Sequence, residues 1–245
     1  MRRWPVWPMV GGFVALLLMA ALAWSRSDRG FPPRKPGDRP ALMLITTLPL
    51  VFPEEFTLQG SGSKALKALE TRYRVVPVGT TDAGSLRQGR LLLMAHPLAQ
   101  PAEDLVALDQ WVRSGGRLLL LADPKLEWPS NRPLGDKLRP PPSFADTGLL
   151  AHWGLRLEDS RDLGPVRVGG GHNAILYISP GRFLSANRDC ELSRAGIVAE
   201  CRIGKGKVTV VADADFLNAD AAEASGNSAE NQMRELIELL AALEP

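Results

Sequence analysis

Two segments at positions 90–95 and 117–122, each apolar after an initial Arg, mark the middle of the chain. Such runs are typical of strands buried on both faces of a parallel sheet. Between them, four apolar residues recur at helical spacing: Leu105, Leu108, Trp111 and Val112. Gly115 and Gly116 then end the helical pattern. The order strand, helix, strand predicts a β-α-β unit with a right-handed crossover.

The flanking segments continue this alternation of strands and helices. Short apolar runs predict strands at residues 41–46, 73–78 and 208–212, with Pro77 favouring an edge position for the second. Helical patterns are predicted at residues 64–71 and 230–243, and the region 155–203 is rich in strand and turn signals. The sequence therefore predicts an α/β fold. We expect a mostly parallel, doubly wound sheet of the flavodoxin or amidotransferase type, with a β-rich C-terminal hairpin insertion.

The N-terminus has a different character. Residues 6–24 form an apolar run without charge, about as long as a bilayer requires, after Arg2 and Arg3. We expect a single-pass membrane anchor within residues 1–24, a linker rich in Pro and Arg at 25–40, and one folded domain at 41–245. A cleaved signal peptide is the alternative, because Ala21-Leu22-Ala23 fits a cleavage pattern.

The orientation of this anchor has arguments on both sides. More basic residues follow the apolar run than precede it, which by the positive-inside rule favours a cytoplasmic domain. The signal-like start of the chain, and the weak effect of charge on long translocated domains, favour export. We expect an inner-membrane protein whose C-terminal domain lies in the periplasm, with a secreted or a cytoplasmic domain as alternatives.

Charge and residue types exclude several functional classes. The formal net charge is +2, and without Arg2 and Arg3 the chain has 27 basic and 27 acidic residues. No basic stripe predicts nucleic-acid binding. The three histidines have no metal-ligand spacing to Cys or to one another, so no metal site and no cofactor is predicted.

The candidate ligand or partner site consists of polar residues that follow predicted strands. His96 follows residue 95, Asp123 follows residue 122, and Asp213 and Asp215 follow residue 212. Ligands of open α/β sheets bind at this carboxyl edge. We expect the three strands to be adjacent and parallel, with the proline-rich loop 125–145 above their ends. Aspartates are also common turn formers, which is the alternative interpretation.

Cys190 and Cys201 are the only cysteines. In an exported chain two cysteines usually pair, so a disulfide is expected if the domain is outside the cytoplasm. In a cytoplasmic domain they would be free thiols.

Three segments resemble a known group. They are LLLMAHP…LVALDQWVRSGGRLLLLADP, GLLAHWGLRLE at 148–158, and GKGKVTVVADADFLN at 204–218. The chain resembles the class I glutamine amidotransferase-like fold. The similarity is greatest to its membrane-anchored branch, the uncharacterised auxiliary domains of ABC-type transport systems, such as the gliding-motility auxiliary protein.

The catalytic residues of that fold are missing. Asp123-Pro124 stands where the amidotransferases have a nucleophilic Cys, and Asp213-Ala214-Asp215 has no counterpart to their C-terminal His. The resemblance therefore implies a non-catalytic auxiliary or binding domain, with an ABC-type permease and ATPase as candidate partners. Two alternatives stay open: a hydrolase that uses His96, Asp123 and Asp213, and a soluble periplasmic solute-binding protein.

Overall fold

A seven-stranded sheet organises the domain in a computed structural model, which describes residues 31–52, 54, 62–159, 164–171 and 174–244. Its strand order is β2-β1-β3-β4-β11-β10-β9. The strands of this sheet are β1 (Ala41–Thr46), β2 (Arg74–Pro77), β3 (Leu91–Ala95), β4 (Arg117–Leu121), β9 (Cys190–Ser193), β10 (Val198–Ile203) and β11 (Gly206–Val211). The first five strands in this order are parallel to one another, whereas β10 is antiparallel to both β11 and β9.

Two layers of helices cover the sheet. The helices are α1 (Lys64–Glu70), α2 (Ala83–Leu86), α3 (Ala102–Arg113), α4 (Leu149–His152), α5 (Ala219–Ala224) and α6 (Ala229–Ala241). Alternate residues of β3 point to opposite faces: Leu93 joins the core beneath α1 and α6, while Leu92 joins the core beneath α2, α3 and α4. The sheet is therefore buried on both faces, which explains why β3 is apolar throughout and β4 is apolar after Arg117.

The predicted α/β class with a mostly parallel sheet is confirmed, and so is the β3-α3-β4 unit. Pro77 lies in the edge strand β2, as predicted. Proline has no N–H to donate, and an edge strand tolerates this because one of its sides is unpaired. The helix predicted at residues 230–243 is present as α6, and its residues Met233, Ile237 and Leu240 are buried, as is Leu243 just beyond its end.

The β-rich region differs from the prediction. The hairpin β10–β11 is not an insertion, because β11 pairs with β4 and continues the main sheet. The remaining strands form two separate antiparallel pairs. The first pair is β5 (Leu155–Glu158) with β8 (Arg182–Ser185), and the second is β6 (Val166–Val168) with β7 (Ile175–Tyr177). Short runs of three or four residues do not reveal their partners in sequence.

The predicted anchor, residues 6–24, lies outside the described residues. Among those that the structure describes, no helix is both long and apolar enough to cross a bilayer. The end of the predicted linker is attached to the domain. The backbone N–H of Arg34 donates to the carbonyl of Thr71 (2.8 Å), and its guanidinium pairs with Glu244 (2.5 Å).

Candidate functional site

The carboxyl ends of β3, β4 and β11 are adjacent, as expected. Ala95 is in register with Leu121, and Leu121 with Val211. His96, Asp123, Asp213 and Asp215 therefore lie at one edge of the sheet. However, all four are buried, with at most 1 % of any of them exposed. We call Asp123, Asp213 and Asp215 the aspartate cluster.

Two members of the cluster use both carboxylate oxygens to accept hydrogen bonds. Asp123 accepts from the N–H of Lys125 at Oδ1 and from the N–H of Ala214 at Oδ2, each at 2.8 Å. Asp213 accepts from the N–H of Phe216 at Oδ1 (2.7 Å) and from that of Ser179 at Oδ2 (3.2 Å). These bonds fix the turns that follow β4 and β11, which is the role of a turn aspartate.

Asp215 is bonded on one side only. Its Oδ2 accepts from the N–H of Glu127 (2.6 Å) and from the hydroxyl of Ser179 (2.7 Å). Its Oδ1 is buried and has no hydrogen-bond partner among the described residues. Asp215 therefore holds the proline-rich loop at its beginning, and one of its oxygens is left unsatisfied.

Burial dominates the electrostatics of the cluster. Desolvation, and then the charge of Asp215, raises the pKa of Asp123 to about 7. Desolvation, and then the charges of Asp123 and Asp215, raises the pKa of Asp213 well above its usual range. Burial also raises the pKa of Asp215. The backbone N–H donors oppose these shifts without cancelling them.

His96 also serves to hold the loop. Its Nε2 lies 2.9 Å from the carbonyl of Pro141, so this nitrogen carries the proton, and its Nδ1 is buried without a partner in the described structure. Burial lowers the pKa of His96, which favours the neutral ring. The residue has a φ of 49°, and its carbonyl accepts a 2.5 Å hydrogen bond from Thr47.

The loop 125–145 covers the aspartate cluster. The N–H of Leu126 bonds to the carbonyl of Pro142 (2.9 Å), and the N–H of Phe144 to that of Asp123 (2.7 Å). In this arrangement the aspartate cluster is covered and is not exposed at the surface. Among the described residues, no histidine ring forms a hydrogen bond with its carboxylates. A ligand or partner role for these four residues stays a prediction, and no described group of acidic, His or Cys side chains could hold a metal ion.

An accessible feature of the carboxyl edge is a cleft of about 310 Å³ at the end of β1. Strand order reverses at β1, since the chain adds β2 on one side and β3 on the other. Ligand crevices of open α/β sheets occur at such a reversal. We call it the switch cleft, and its polar and exposed lining residues are Thr46, Thr47, Phe52, Glu54, Arg132 and Leu138.

Two loops meet across the switch cleft. The guanidinium of Arg132 donates to the carbonyl of Glu54 (3.1 Å), and the N–H of Asn131 donates to the carboxylate of Glu54 (3.0 Å). At the mouth, Phe52 is 78 % exposed and Leu138 is 67 % exposed. Large apolar side chains at such exposure beside a concavity are typical of an interaction site.

Sequence reasoning missed this cleft. Residues 46–54 and 132–138 lie far apart in the chain and have no motif. The available signal was the length of the loop 125–145, since long loops in compact domains are often functional. The sequence does not show that strand order reverses at β1, because this depends on which strands pair.

The expected disulfide is present. Cys190 and Cys201 are directly paired across β9 and β10, and their sulfurs are bonded. Both side chains are buried. The bond connects the outermost strand of the sheet to its neighbour.

Several solved structures are similar to this chain. They include an exo-β-1,4-mannosidase from Opitutaceae bacterium strain TAV5, with a TM-score of 0.49 and 14 % identity over 83 % of this chain and 36 % of that one. A cytoplasmic protein from Salmonella typhimurium LT2 has a TM-score of 0.46 and 10 % identity, over 84 % of this chain and all of that one. A ThuA-like protein from Bacteroides uniformis ATCC 8492 has a TM-score of 0.41 and 9 % identity, over 83 % and 92 %. The chain spans about a third of the mannosidase.

No curated protein sequence matches the chain. A family model does match it, over residues 39–163, and this family is described as "ABC-type uncharacterized transport system". The match covers half of the chain and includes β1 to β5 with the helices between them. The chain therefore belongs to this ABC-type uncharacterized transport system family.

Proposed function

We propose that the chain is a non-catalytic auxiliary subunit of an ABC-type transport system. In this proposal residues 6–24 anchor it in the membrane, and its α/β domain lies outside the cytoplasm. The switch cleft, rather than the aspartate cluster, is the surface that binds the transporter. The resemblance to the membrane-anchored branch of the amidotransferase-like fold supports the same role.

The observation that carries this proposal is the position of the cleft within the family match. The lining runs from Leu44 to Leu138, so all of it falls between residues 39 and 163. By contrast, Asp213 and Asp215 lie outside that stretch. The part of the chain that defines the family is therefore also the part that builds the cleft.

The composition of the cleft favours a protein partner over a polar solute. Phe52 and Leu138 expose large apolar side chains to water at the mouth of the switch cleft. A partner that buried them would gain free energy from removing this apolar surface from water. Arg132 and Glu54 stand beside them as polar groups that can orient a bound segment. Interfaces with an apolar centre and a polar rim have this composition.

The extracytoplasmic location rests on two features. Residues 6–24 have the length and composition of a bilayer-spanning segment. The disulfide between Cys190 and Cys201 fits an oxidising compartment. Neither feature depends on the cleft, so location and partner binding can be tested separately.

Co-purification tests the partner. The tagged full-length chain is solubilised in mild detergent, and the permease and ATPase of an ABC transporter should be identified with it by mass spectrometry. Phe52→Ser and Leu138→Ser should reduce the recovery of both subunits. Val106→Ser is the matched control, because Val106 is 56 % exposed on α3, outside the cleft, and its loss should leave recovery unchanged.

Recovery of the transporter at the wild-type level with both cleft variants would contradict the role of the cleft. Recovery of no ABC subunit with the wild-type chain would contradict the auxiliary function. The solute-binding alternative predicts a different result, in which a small molecule raises the Tm and the apolar cleft variants abolish that shift.

A further inference from the structure

The five parallel strands all begin at the same edge of the sheet, which we call the amino edge. The segments that lead into four of these strands are strongly basic. These segments are 72–74 (RYR), 87–90 (RQGR), 113–117 (RSGGR) and 204–207 (GKGK). Together they contain eight Lys or Arg residues and no Asp or Glu. Positive charge is therefore concentrated in these segments, although the chain as a whole is nearly neutral.

Strand register aligns these segments into one row. Arg74 is in register with Ala41, Leu42 with Leu91, Leu91 with Arg117, and Arg117 with Lys207. Adjacent strands are about 4.8 Å apart, so the row from Arg74 to Lys207 extends over roughly 19 Å. We call this row the basic edge. It ends at β11, because β9 and β10 carry charges of both signs.

Part of the basic edge has a structural explanation. The C-termini of α2 and α3 point to this edge, and Arg87 and Arg113 are the basic residues at these helix ends, where they interact favourably with the helix dipoles. Arg113 also pairs with Asp109 at 2.7 Å. Arg90 and Lys205 also lie near the C-terminus of α3: a guanidinium nitrogen of Arg90 is beside Gly115, and the backbone N–H of Lys205 donates to the carbonyl of Arg113 (3.0 Å). Arg74, the first residue of β2, has no such explanation.

Four residues of the basic edge are free to bind an anion. Arg74, Arg87, Arg90 and Lys205 are exposed, and their side chains form no ion pair with any residue that the structure describes. Three acidic residues lie at the same edge of the sheet. Glu244 is already paired with Arg34, while Asp38 and Glu70 lie on other segments of the same edge.

A cleft of about 500 Å³ opens within the basic edge, between α2 and α3. Its lining includes Arg87, Arg90, Gln110 and the half-buried indole of Trp111. Two guanidinium groups beside an amide suit a phosphate, because Arg binds phosphate through two parallel N–H donors. Trp is also the side chain most typical of the membrane–water interface.

The length of the chain points to one source of phosphate. Arg34 is bonded to Thr71, the residue before the first basic segment, and residues 25–33 alone separate it from the apolar run that ends at 24. Nine extended residues span at most about 30 Å. If residues 6–24 enter the bilayer, the basic edge is tethered within reach of the lipid headgroups.

From this geometry we propose that the basic edge binds the anionic phospholipid headgroups of the membrane in which the chain is anchored, with a lipid phosphate between Arg87 and Arg90. The proposal rests on the anchor of the proposed function. It assigns opposite roles to the two edges of the sheet: the amino edge faces the lipid, and the switch cleft faces the partner.

Hydrogen exchange of the full-length chain in lipid vesicles tests this. Neutral phosphatidylcholine vesicles are compared with vesicles that contain about 30 % phosphatidylglycerol, at low salt and at about 0.5 M salt. Exchange in segments 87–90, 113–117 and 204–207 should be about fivefold or more slower in the anionic vesicles at low salt. Exchange in segment 133–138, at the other edge, should be the same in both lipids.

A pair of matched variants assigns the effect to the basic edge. Arg87→Gln with Arg90→Gln should abolish the lipid-dependent protection. Lys137→Gln with Arg182→Gln removes the same charge from exposed positions elsewhere and should retain it. Equal exchange in neutral and anionic vesicles, or equal loss with both double variants, would overturn the proposal.

Carbonate extraction separates this result from the anchor. If carbonate removes the chain while the anionic protection persists, the anchor is wrong and the basic edge still binds lipid. If the chain resists carbonate but exchange is independent of the lipid, the anchor stands and the basic edge does not bind headgroups. Protection that depends equally on free inorganic phosphate in neutral vesicles would also contradict the membrane as its source.

Discussion

The N–H of Ala214 donates a 2.8 Å hydrogen bond to Oδ2 of Asp123, joining the turn after β11 to the turn after β4. This bond turns the carboxylate of Asp123 into the interior, away from the surface that a ligand could reach. The same is true of Asp213, whose two oxygens also accept backbone N–H groups. The aspartates at the strand ends therefore fix the turns at this edge of the sheet, and the switch cleft lies at the same edge.

Isosteric substitutions should distinguish the aspartates. Asp213→Asn places an amide NH₂ against a backbone N–H, because both oxygens of Asp213 are acceptors. We expect the free energy of unfolding to fall by about 2 kcal/mol. Asp215→Asn can place its NH₂ at the unpartnered Oδ1 and keep both accepted bonds, so its Tm should equal or exceed that of the wild type.

Thermal melts at neutral pH measure both effects. A loss of about 2 kcal/mol corresponds to a decrease in Tm of about 4–8 °C for a domain of this size. A larger decrease for Asp215→Asn than for Asp213→Asn would contradict the hydrogen-bond pattern.

Stability should depend on pH through the same cluster. Burial raises the pKa of Asp123 to about 7, so the folded state holds this proton more tightly than the unfolded chain, where the value is near 3.8. The resulting stabilisation is complete below about pH 4 and is lost as the pH rises through about 7. Part of the shift comes from the charge of Asp215.

Asp215→Asn tests this dependence against a background of other titrating groups. The Tm difference between variant and wild type should grow in favour of the variant between about pH 5 and about pH 8, because the proton of Asp123 is lost in this range. A difference that is constant with pH, or that grows in the other direction, would show that Asp215 does not destabilise the charged form of Asp123.

Features that depend on neighbouring residues could be predicted from the sequence, whereas features that depend on contacts between distant segments could not. The β3-α3-β4 unit is visible because its apolar runs and its Gly115-Gly116 stop are local. The convergence of His96, Asp123 and Asp213 on one edge follows from parallel strands and was also predicted. Their burial was not, because it depends on Pro141 and Glu127 in a loop whose path the sequence pattern does not define.

The switch cleft and the basic edge required the strand order. Phe52 and Leu138 line one cleft only because the loops after β1 and β4 lie at the same end of the sheet. Arg74 and Lys207 align only because of register across five strands. Such long-range pairing has no signature in a single local window.

The disulfide should form in protein isolated from the cell envelope. Mass spectrometry without reduction should show Cys190 joined to Cys201, and replacing both by Ser should lower the free energy of unfolding by about 3 kcal/mol. Two thiols that react with an alkylating reagent in the native, unreduced protein would contradict the oxidised state. They would also remove one of the two supports for an extracytoplasmic domain.

Reporter fusions test the topology directly. Alkaline phosphatase at the C-terminus should be active, because this enzyme requires export, and a fluorescent protein that matures only in the cytoplasm should be dark at the same position. The opposite pattern would place the domain in the cytoplasm, in agreement with the basic residues after the apolar run. A reporter found in the medium would indicate that the signal is cleaved.

Site-specific photo-cross-linking in cells tests the central claim, that the switch cleft binds the transporter. A photoreactive residue is placed at Phe52, at Leu138 or at Val106, three exposed apolar positions of which the first two line the cleft. We expect cross-links from positions 52 and 138 to the permease or ATPase of an ABC transporter, and none from position 106. Cross-links to these subunits from position 106 alone, or from none of the three in cells that express the transporter, would contradict this account.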